Sequence, residues 1–268
     1  MTESSSSGSD LKAGSGTSWI NIVYPLWQWA FLVPAMVLAT IVAASAAMLM
    51  CLFGFKRAAN LQVAARWARV IAWLTPMRVS VEGRDHVQPG RSYVVVANHQ
   101  SQFDIPLIYG FSQLDLRWVM KAEIGKIPFV AQGCRAIGHI FIDRGNPDEA
   151  RAVINQAVSE LPEGTSVMFF AEGTRSRSGE LQKFRKGAFR VAVDRGIPVL
   201  PVTVVGTRDL MPSGSLRIRP GTARMIFHEP IPIPPGSVDA AVSELCRQTR
   251  RVIGDQLTEA REGARDAG

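Results

Sequence analysis

From Ala13 to Phe55 the chain carries no charged residue. This stretch restricts the fold more than any other, because it holds no side chain that demands water. Within it residues 35–55 are free of proline and predominantly apolar. As a helix rising about 1.5 Å per residue, they suffice to cross a hydrocarbon layer about 30 Å thick. Pro25 and Pro34 are expected to break the part before it, where Trp19, Tyr24, Trp27 and Trp29 have the character of an interfacial aromatic belt. Ala44-Ser45-Ala46 resembles a leader cleavage site, but the apolar run is too long for a leader and no basic segment introduces it.

The formal charge is +7, and its placement matters more than its size. No Asp or Glu occurs between Asp10 and Glu82, whereas Lys12, Lys56, Arg57, Arg66, Arg69 and Arg78 all fall there. Cations flanking an apolar segment suit an anionic membrane surface. The chain contains no recognisable nucleic-acid-binding module. Residues 57–75 read as a second helix with Gln62, Arg66 and Arg69 along a polar strip and with Trp67 and Trp73 placed to anchor at headgroups. The cations after the apolar run put the main domain on the cytoplasmic side of the inner membrane, with the helix either spanning or re-entrant. Residues 1–18, rich in Ser and Gly, are expected to form a disordered tail. Cys51, Cys134 and Cys246 form neither a disulfide framework nor a zinc pattern.

From Met77 the rhythm changes to short β-branched runs alternating with amphipathic segments. Strands are predicted at 78–82, 93–97, 116–120, 138–143, 165–170 and 199–204, with 216–219 and 223–228 as a late hairpin. Helices are predicted at 105–112, 122–134, 147–160, 184–195 and 238–260. Alternating β and α elements imply an α/β fold with a largely parallel central sheet flanked by helices, preceded by the membrane-associated helical segment. The division is a tail at 1–18, membrane-associated helices at 19–76, an α/β domain at 77–258 and a frayed end at 259–268.

Polar residues at the carboxyl ends of strands are where such folds place chemistry. The first set is Asn98-His99-Gln100-Ser101-Gln102-Phe103-Asp104. On a regular helix five residues turn through about 500°, leaving His99 and Asp104 about 140° apart, so they cannot meet on one. Pro106 is tolerated only in a first helical turn. The helix should therefore begin near Asp104, with His99 folded back toward the carboxylate as a base held in one tautomer. The bland alternative is a helix-capping Asp104 beside a loop histidine. The second set is Glu172-Gly173-Thr174-Arg175, with Lys183, Arg185 and Lys186 close behind: Gly173 permits close backbone approach, Thr174 and Arg175 suit a phosphate, and Glu172 could bind a hydroxyl. Lys121 and Arg144, each after a predicted strand, could converge on an anion at one edge of the sheet. The fourth, Ile197-Pro198-Val199-Leu200-Pro201-Val202, reads as a wall of the site.

In this order, Asn-His-x4-Asp, Lys-x-Glu with Phe-Ile-Asp-Arg, Glu-Gly-Thr-Arg and Ile-Pro-Val-x-Pro-Val resemble the four blocks of the glycerolipid acyltransferase family, above all its 1-acylglycerol-3-phosphate branch, over about residues 76–230. Ala171 departs from the proline common before Glu-Gly-Thr-Arg. The resemblance implies transfer of a fatty acyl chain from acyl-CoA or acyl-carrier protein to the hydroxyl of a lysophospholipid. His99 would act as general base, Asp104 would orient it, and Lys121, Arg144 and Arg175 would hold the phosphate. Glu172 with Gly173 would position the glycerol part. The resemblance implies no metal and no cofactor beyond the acyl co-substrate. Glycerol-3-phosphate or a lyso-amino-acid lipid is the alternative acceptor. A lipid-binding protein without activity is opposed by the intact motifs, and a thioesterase by the basic cluster and the lack of a Gly-x-Ser-x-Gly elbow.

Overall fold

The computed structural model of the chain describes residues 24–266, so the expected tail at 1–18 and Trp19 lie outside the described residues. The first helix, α1, runs Tyr24–Leu52, about a turn short of the expected carboxyl end and well before the expected start. Pro34 does not break it. Proline has no N–H to offer the carbonyl four residues back, and here the preceding turn widens into a π-helix, Gln28–Leu32, with the Val33 N–H donating to the Gln28 carbonyl. The second helix, α2, covers residues 56–74 and contains its own π segment, Ala59–Ala64.

The strands are β1 (Met77–Glu82), β2 (Val94–Ala97), β3 (Asp115–Lys121), β4 (Ile140–Ile142), β5 (Thr165–Phe170), β6 (Val199–Val205) and β7 (Gly221–Phe227). The helices between and after them are α3 (Asp104–Phe111), α4 (Val130–Ile137), α5 (Pro147–Ser159), α6 (Gly187–Arg195), the single turn α7 (Thr207–Leu210) and α8 (Val238–Asp266). All seven strands form one sheet in the order β1-β7-β6-β2-β5-β3-β4. The five strands from β6 to β4 are parallel, while β7 runs against β6 and pairs in parallel with β1. Strands β2 and β5, buried on both faces, are the near-continuous apolar runs that a covered parallel sheet requires. One core packs α1–α3 on one face, and a second packs α5, α6 and α8 on the other.

In the α/β domain three expectations change. The late hairpin does not form: β7 inserts between β6 and β1, and 216–219 is not a strand. Its backbone donors go elsewhere, Arg219 N–H to Leu210 and Ile218 N–H to the Gln28 side chain. The helix expected at 122–134 splits into a 3-10 turn, Ala122–Lys126, and α4, because Pro128 disfavours helical geometry at Ile127, which is extended. The carboxyl-terminal helix does not fray at 259 but continues to Asp266, and Arg261 fastens it to the Gly179 carbonyl and the Glu180 carboxylate.

Helix α1 is tied to the α/β domain along its length. Near its start the Tyr24 hydroxyl donates to the Ile218 carbonyl (2.7 Å), and Gln28 bonds Leu216 and Ile218. Farther on, the Trp67 indole N–H reaches Thr40 (3.0 Å), and Ala44 packs on Gly133 so closely that a Cβ there would lie 3.1 Å from the Ala44 Cβ. Trp67 therefore joins two helices and does not face headgroups, whereas Trp73 is 77% exposed.

Candidate active site

Strand β2 delivers His99. Beyond the end of the β2–β6 ladder, Asn98 bonds both backbone groups of Val204, its amide donating to the carbonyl (2.9 Å) and its oxygen accepting from the N–H (2.8 Å). That side chain pairing holds the strand end in place while the backbone turns away. Asp104 is the first residue of α3, and His99 lies in the preceding turn, as the proline spacing predicts.

The His99 Nδ1 lies 2.7 Å from Asp104 Oδ2. The same oxygen accepts the Gln100 N–H (2.7 Å) and the Ser101 N–H (3.0 Å), and Oδ1 accepts the Thr207 hydroxyl (2.5 Å). A carboxylate on Nδ1 requires the proton there, which leaves Nε2 with a lone pair. Among the described residues Nε2 has no hydrogen-bond partner. The ring stacks on Phe170, centroids 3.8 Å apart and planes 8° from parallel, so its orientation is fixed on two sides. Ser101 is buried and donates its hydroxyl to the Met211 carbonyl (2.7 Å), a structural bond that does not prepare a nucleophile.

Glu172 is nine-tenths buried and occupies an unexpected position. Its Oε1 accepts the His99 N–H (2.7 Å) and its Oε2 the Gln182 N–H (3.0 Å). Both oxygens are thus engaged in bracing the His99 turn against the basic loop. Burial pushes its carboxyl above the usual range, opposed by those two N–H groups. The Ser176 N–H donates to the His99 carbonyl (2.8 Å), so the two turns are stitched twice. Ala171 donates its N–H to Ala97 (3.3 Å), continuing the β2–β5 pairing by one bond that proline could not make.

Gly173 has φ +75°, and a Cβ there would fall 2.6 Å from Arg185 Nε. Its carbonyl accepts from Arg144 Nη1. Burial, and then the charge of Arg185, lower the Arg144 pKa, so an anion between these cations would be held favourably. Arg175 is half-buried and Thr174 exposed at the same turn. Lys121 is apart from them in character: exposed, it is ion-paired to Glu123 at 2.6 Å. A groove of about 650 Å³ opens beside Arg144 and Gly173, with Ile142, Phe169 and Val191 among its apolar lining residues. Phe169 and Phe170 both line it, and Phe170 carries His99 on its ring. The other histidines are structural: burial lowers the His139 pKa to about 3 and the His228 pKa to about 4, and His86 lies 3.2 Å from the Phe227 carbonyl.

Sequence reasoning missed Thr207, Phe170 and the clamp at Asn98. For Thr207 a signal existed: it directly follows the β-branched run and Gly206, at the carboxyl end of the strand adjacent to β2.

A family model described as Acyltransferase matches residues 78–205, which contain the His99 turn, Arg144, the Glu172 turn and all of β6. Fold and site thus define an acyltransferase. A 1-acyl-sn-glycerol-3-phosphate acyltransferase of Chlamydomonas reinhardtii is 32% identical over 234 residues, covering 86% of this chain and 68% of the relative. A chloroplastic enzyme of the same name from Arabidopsis thaliana is 31% identical over 73% of this chain, which spans only about half (53%) of that relative. The crystal structure of the 1-acyl-sn-glycerophosphate acyltransferase of Thermotoga maritima superposes with a TM-score of 0.65 at 28% identity, covering 86% of this chain and 98% of that one. The chain belongs to the 1-acyl-sn-glycerol-3-phosphate acyltransferase family.

Proposed function

We propose that the chain transfers a fatty acyl group from a thioester donor, acyl-CoA or acyl-carrier protein, to the sn-2 hydroxyl of lysophosphatidic acid, giving phosphatidic acid. The observation that carries the chemistry is the His99–Asp104 pair, with Nδ1 on the carboxylate and Nε2 unengaged. Nε2 takes the hydroxyl proton as the oxygen attacks the thioester carbonyl. The tetrahedral intermediate collapses with loss of the C–S bond, and the proton passes from Nε2 to the departing sulfur. Asp104 holds the tautomer and stabilises the imidazolium. Arg144 and Arg175 hold the acceptor phosphate, and Gly173 lets it approach the backbone. Glu172 acts through the backbone of His99, and Lys121 contributes at the rim.

The names of the relatives and the cations after β4 and β5, at one edge of the sheet, support this acceptor. Placement at the cytoplasmic face of the inner membrane fits the exposed apolar face of α1 and the cations after it: acceptor and product both partition into lipid, and an interfacial site exchanges them without carrying acyl chains through water. The test is a purified-enzyme assay across lysolipid acceptors. His99→Ala should lose about 10²–10⁴ of the rate, and full activity in that variant would remove the general base. Turnover confined to acceptors without phosphate would remove the role of Arg144 and Arg175.

A further inference from the structure

We propose that two loops, residues 122–129 and 211–220, insert into an anionic lipid surface and, with α1, form a lipid-embedded rim around the His99 turn. Because the five strands from β6 to β4 are parallel, the loops after β3 and β6 leave the same sheet edge as the turn after β2. In the sheet order β6 lies beside β2 on one flank and β3 lies beyond β5 on the other, so the loops bracket the catalytic turn.

Each loop exposes large apolar side chains: Ile127 (49%) and Phe129 (42%) in the first, Leu216 (68%) in the second. Phe129 has φ +61° and ψ −47°, a conformation that costs a residue with a side chain. The turn places the Phe129 carbonyl to accept the Gly133 N–H (2.9 Å) at the start of α4, and it leaves the aromatic ring 42% exposed with part of its apolar surface in water. A surface that removes the ring from water supplies the missing contact.

Lipid is favoured as that surface on two further grounds. The loops are continuous with the apolar face of α1, which exposes Trp27, Trp29, Phe31 and Leu38. The second loop is hydrogen-bonded to Tyr24 and Gln28, and the first leads directly into α4, whose Gly133 packs on Ala44. Charge is also complementary: Lys126 flanks Ile127, Arg217 and Arg219 flank Leu216, and no acidic residue lies between Asp209 and Glu229. The one carboxylate of the first loop, Glu123, is neutralised by Lys121. Ser101, bonded to Met211, links the second loop to the catalytic turn, so lipid docking there would bear on the site directly. None of this depends on which acceptor or donor the enzyme uses.

The test uses the full chain in vesicles of phosphatidylglycerol and phosphatidylethanolamine, with its three cysteines replaced by alanine. Nitroxide labels are placed at Ile127→Cys and Leu216→Cys, with Leu38→Cys on α1 and Glu163→Cys at the opposite sheet edge as references. Labels at 127 and 216 should collide with oxygen as the Leu38 label does and lose contact with an aqueous nickel chelate, while the Glu163 label keeps it. Water-like behaviour at 127 and 216 beside a lipid-like Leu38 overturns the proposal. So does exclusion from both reagents, the signature of a protein partner or a second copy. In the chain with native cysteines, Phe129→Asp combined with Leu216→Asp should raise amide hydrogen exchange of residues 122–129 and 211–220 on vesicles. Unchanged exchange would count against insertion.

Discussion

Asp104 is fully buried and is held by four donors shared between its two oxygens, one of them the Thr207 hydroxyl. Thr207→Val keeps the shape and removes the bond, leaving Oδ1 without its donor. A charge-assisted bond of this kind contributes about 1.5–3 kcal/mol, so kcat should fall about tenfold or more with KM for the acceptor little changed. Thr207→Ser should restore most of it, and steady-state kinetics on the two variants separate the hydroxyl from mere packing. Glu172 has a different function, since it supports His99 by accepting its N–H. Glu172→Ala leaves two half-buried N–H groups without their acceptor, each at the lower end of about 1–3 kcal/mol, and should lower the denaturation midpoint together with kcat. Burial raises the Glu172 pKa, so the folded state keeps its proton at a pH where the unfolded chain has released it. Stability from this group is therefore present below the unfolded value and lost as pH rises through the raised one. Glu172→Gln should flatten that part of the pH–stability curve.

Among the elements, α1 departs furthest from what its composition suggests. A helix of this length and hydropathy passes as a membrane span, yet it bonds the domain near Tyr24 and packs on α4 at Ala44. A helix fastened to one domain at its start and again about two-thirds along is hard to pass across a bilayer while that domain stays on one side. It should lie in one leaflet, with both ends on the domain's side. Labelling Leu26→Cys and Phe53→Cys in sealed vesicles with a membrane-impermeant maleimide checks this: both should react from the domain's side, and reaction of one from each side would mean a span. The α1–α4 contact depends on a missing side chain. Gly133→Leu forces the two helices apart at an expected cost of about 1–3 kcal/mol, readable as a lowered thermal midpoint.

At the scale of the whole molecule, a buried polar seam joins the amino-terminal helices to the sheet. Asn60 on α2 donates to Asp115 (2.5 Å) and Leu116 (3.1 Å), Tyr109 on α3 bonds Asn60 and lies 3.1 Å from His139, and Arg117 pairs with Asp115 at 2.5 Å. His139 is the acid-sensitive member. Burial first, and then the Arg117 charge, lower its pKa from 6.5 to about 3. The unfolded chain takes up that proton below about pH 6.5 and the folded chain does not, so stability present above 6.5 is lost as pH falls toward 3, by about 1.4 kcal/mol per pH unit. His139→Gln should flatten this acid limb in denaturant titrations at successive pH values. An unaltered slope would assign the acid sensitivity to other groups.

What was legible in the chain was what short range encodes. The β2–turn–α3 unit could be read from a β-branched run, a polar turn and Pro106, because helix geometry and the missing proline N–H act within a few residues. The alternation of elements carried the sheet's class in the same way. The bracing of the site was not legible: Asn98 on Val204, Thr207 on Asp104 and Glu172 on the His99 N–H join residues 106, 103 and 73 positions apart. Those bonds exist because β6 and β5 flank β2, and strand order leaves no trace in local periodicity. Nor could composition tell a helix that spans lipid from one that lies along its own domain. Residues 35–55 were apolar enough for either, and only the contacts that Tyr24, Gln28 and Ala44 make with residues far away in sequence give a physical ground for expecting the one-leaflet placement that the labelling tests.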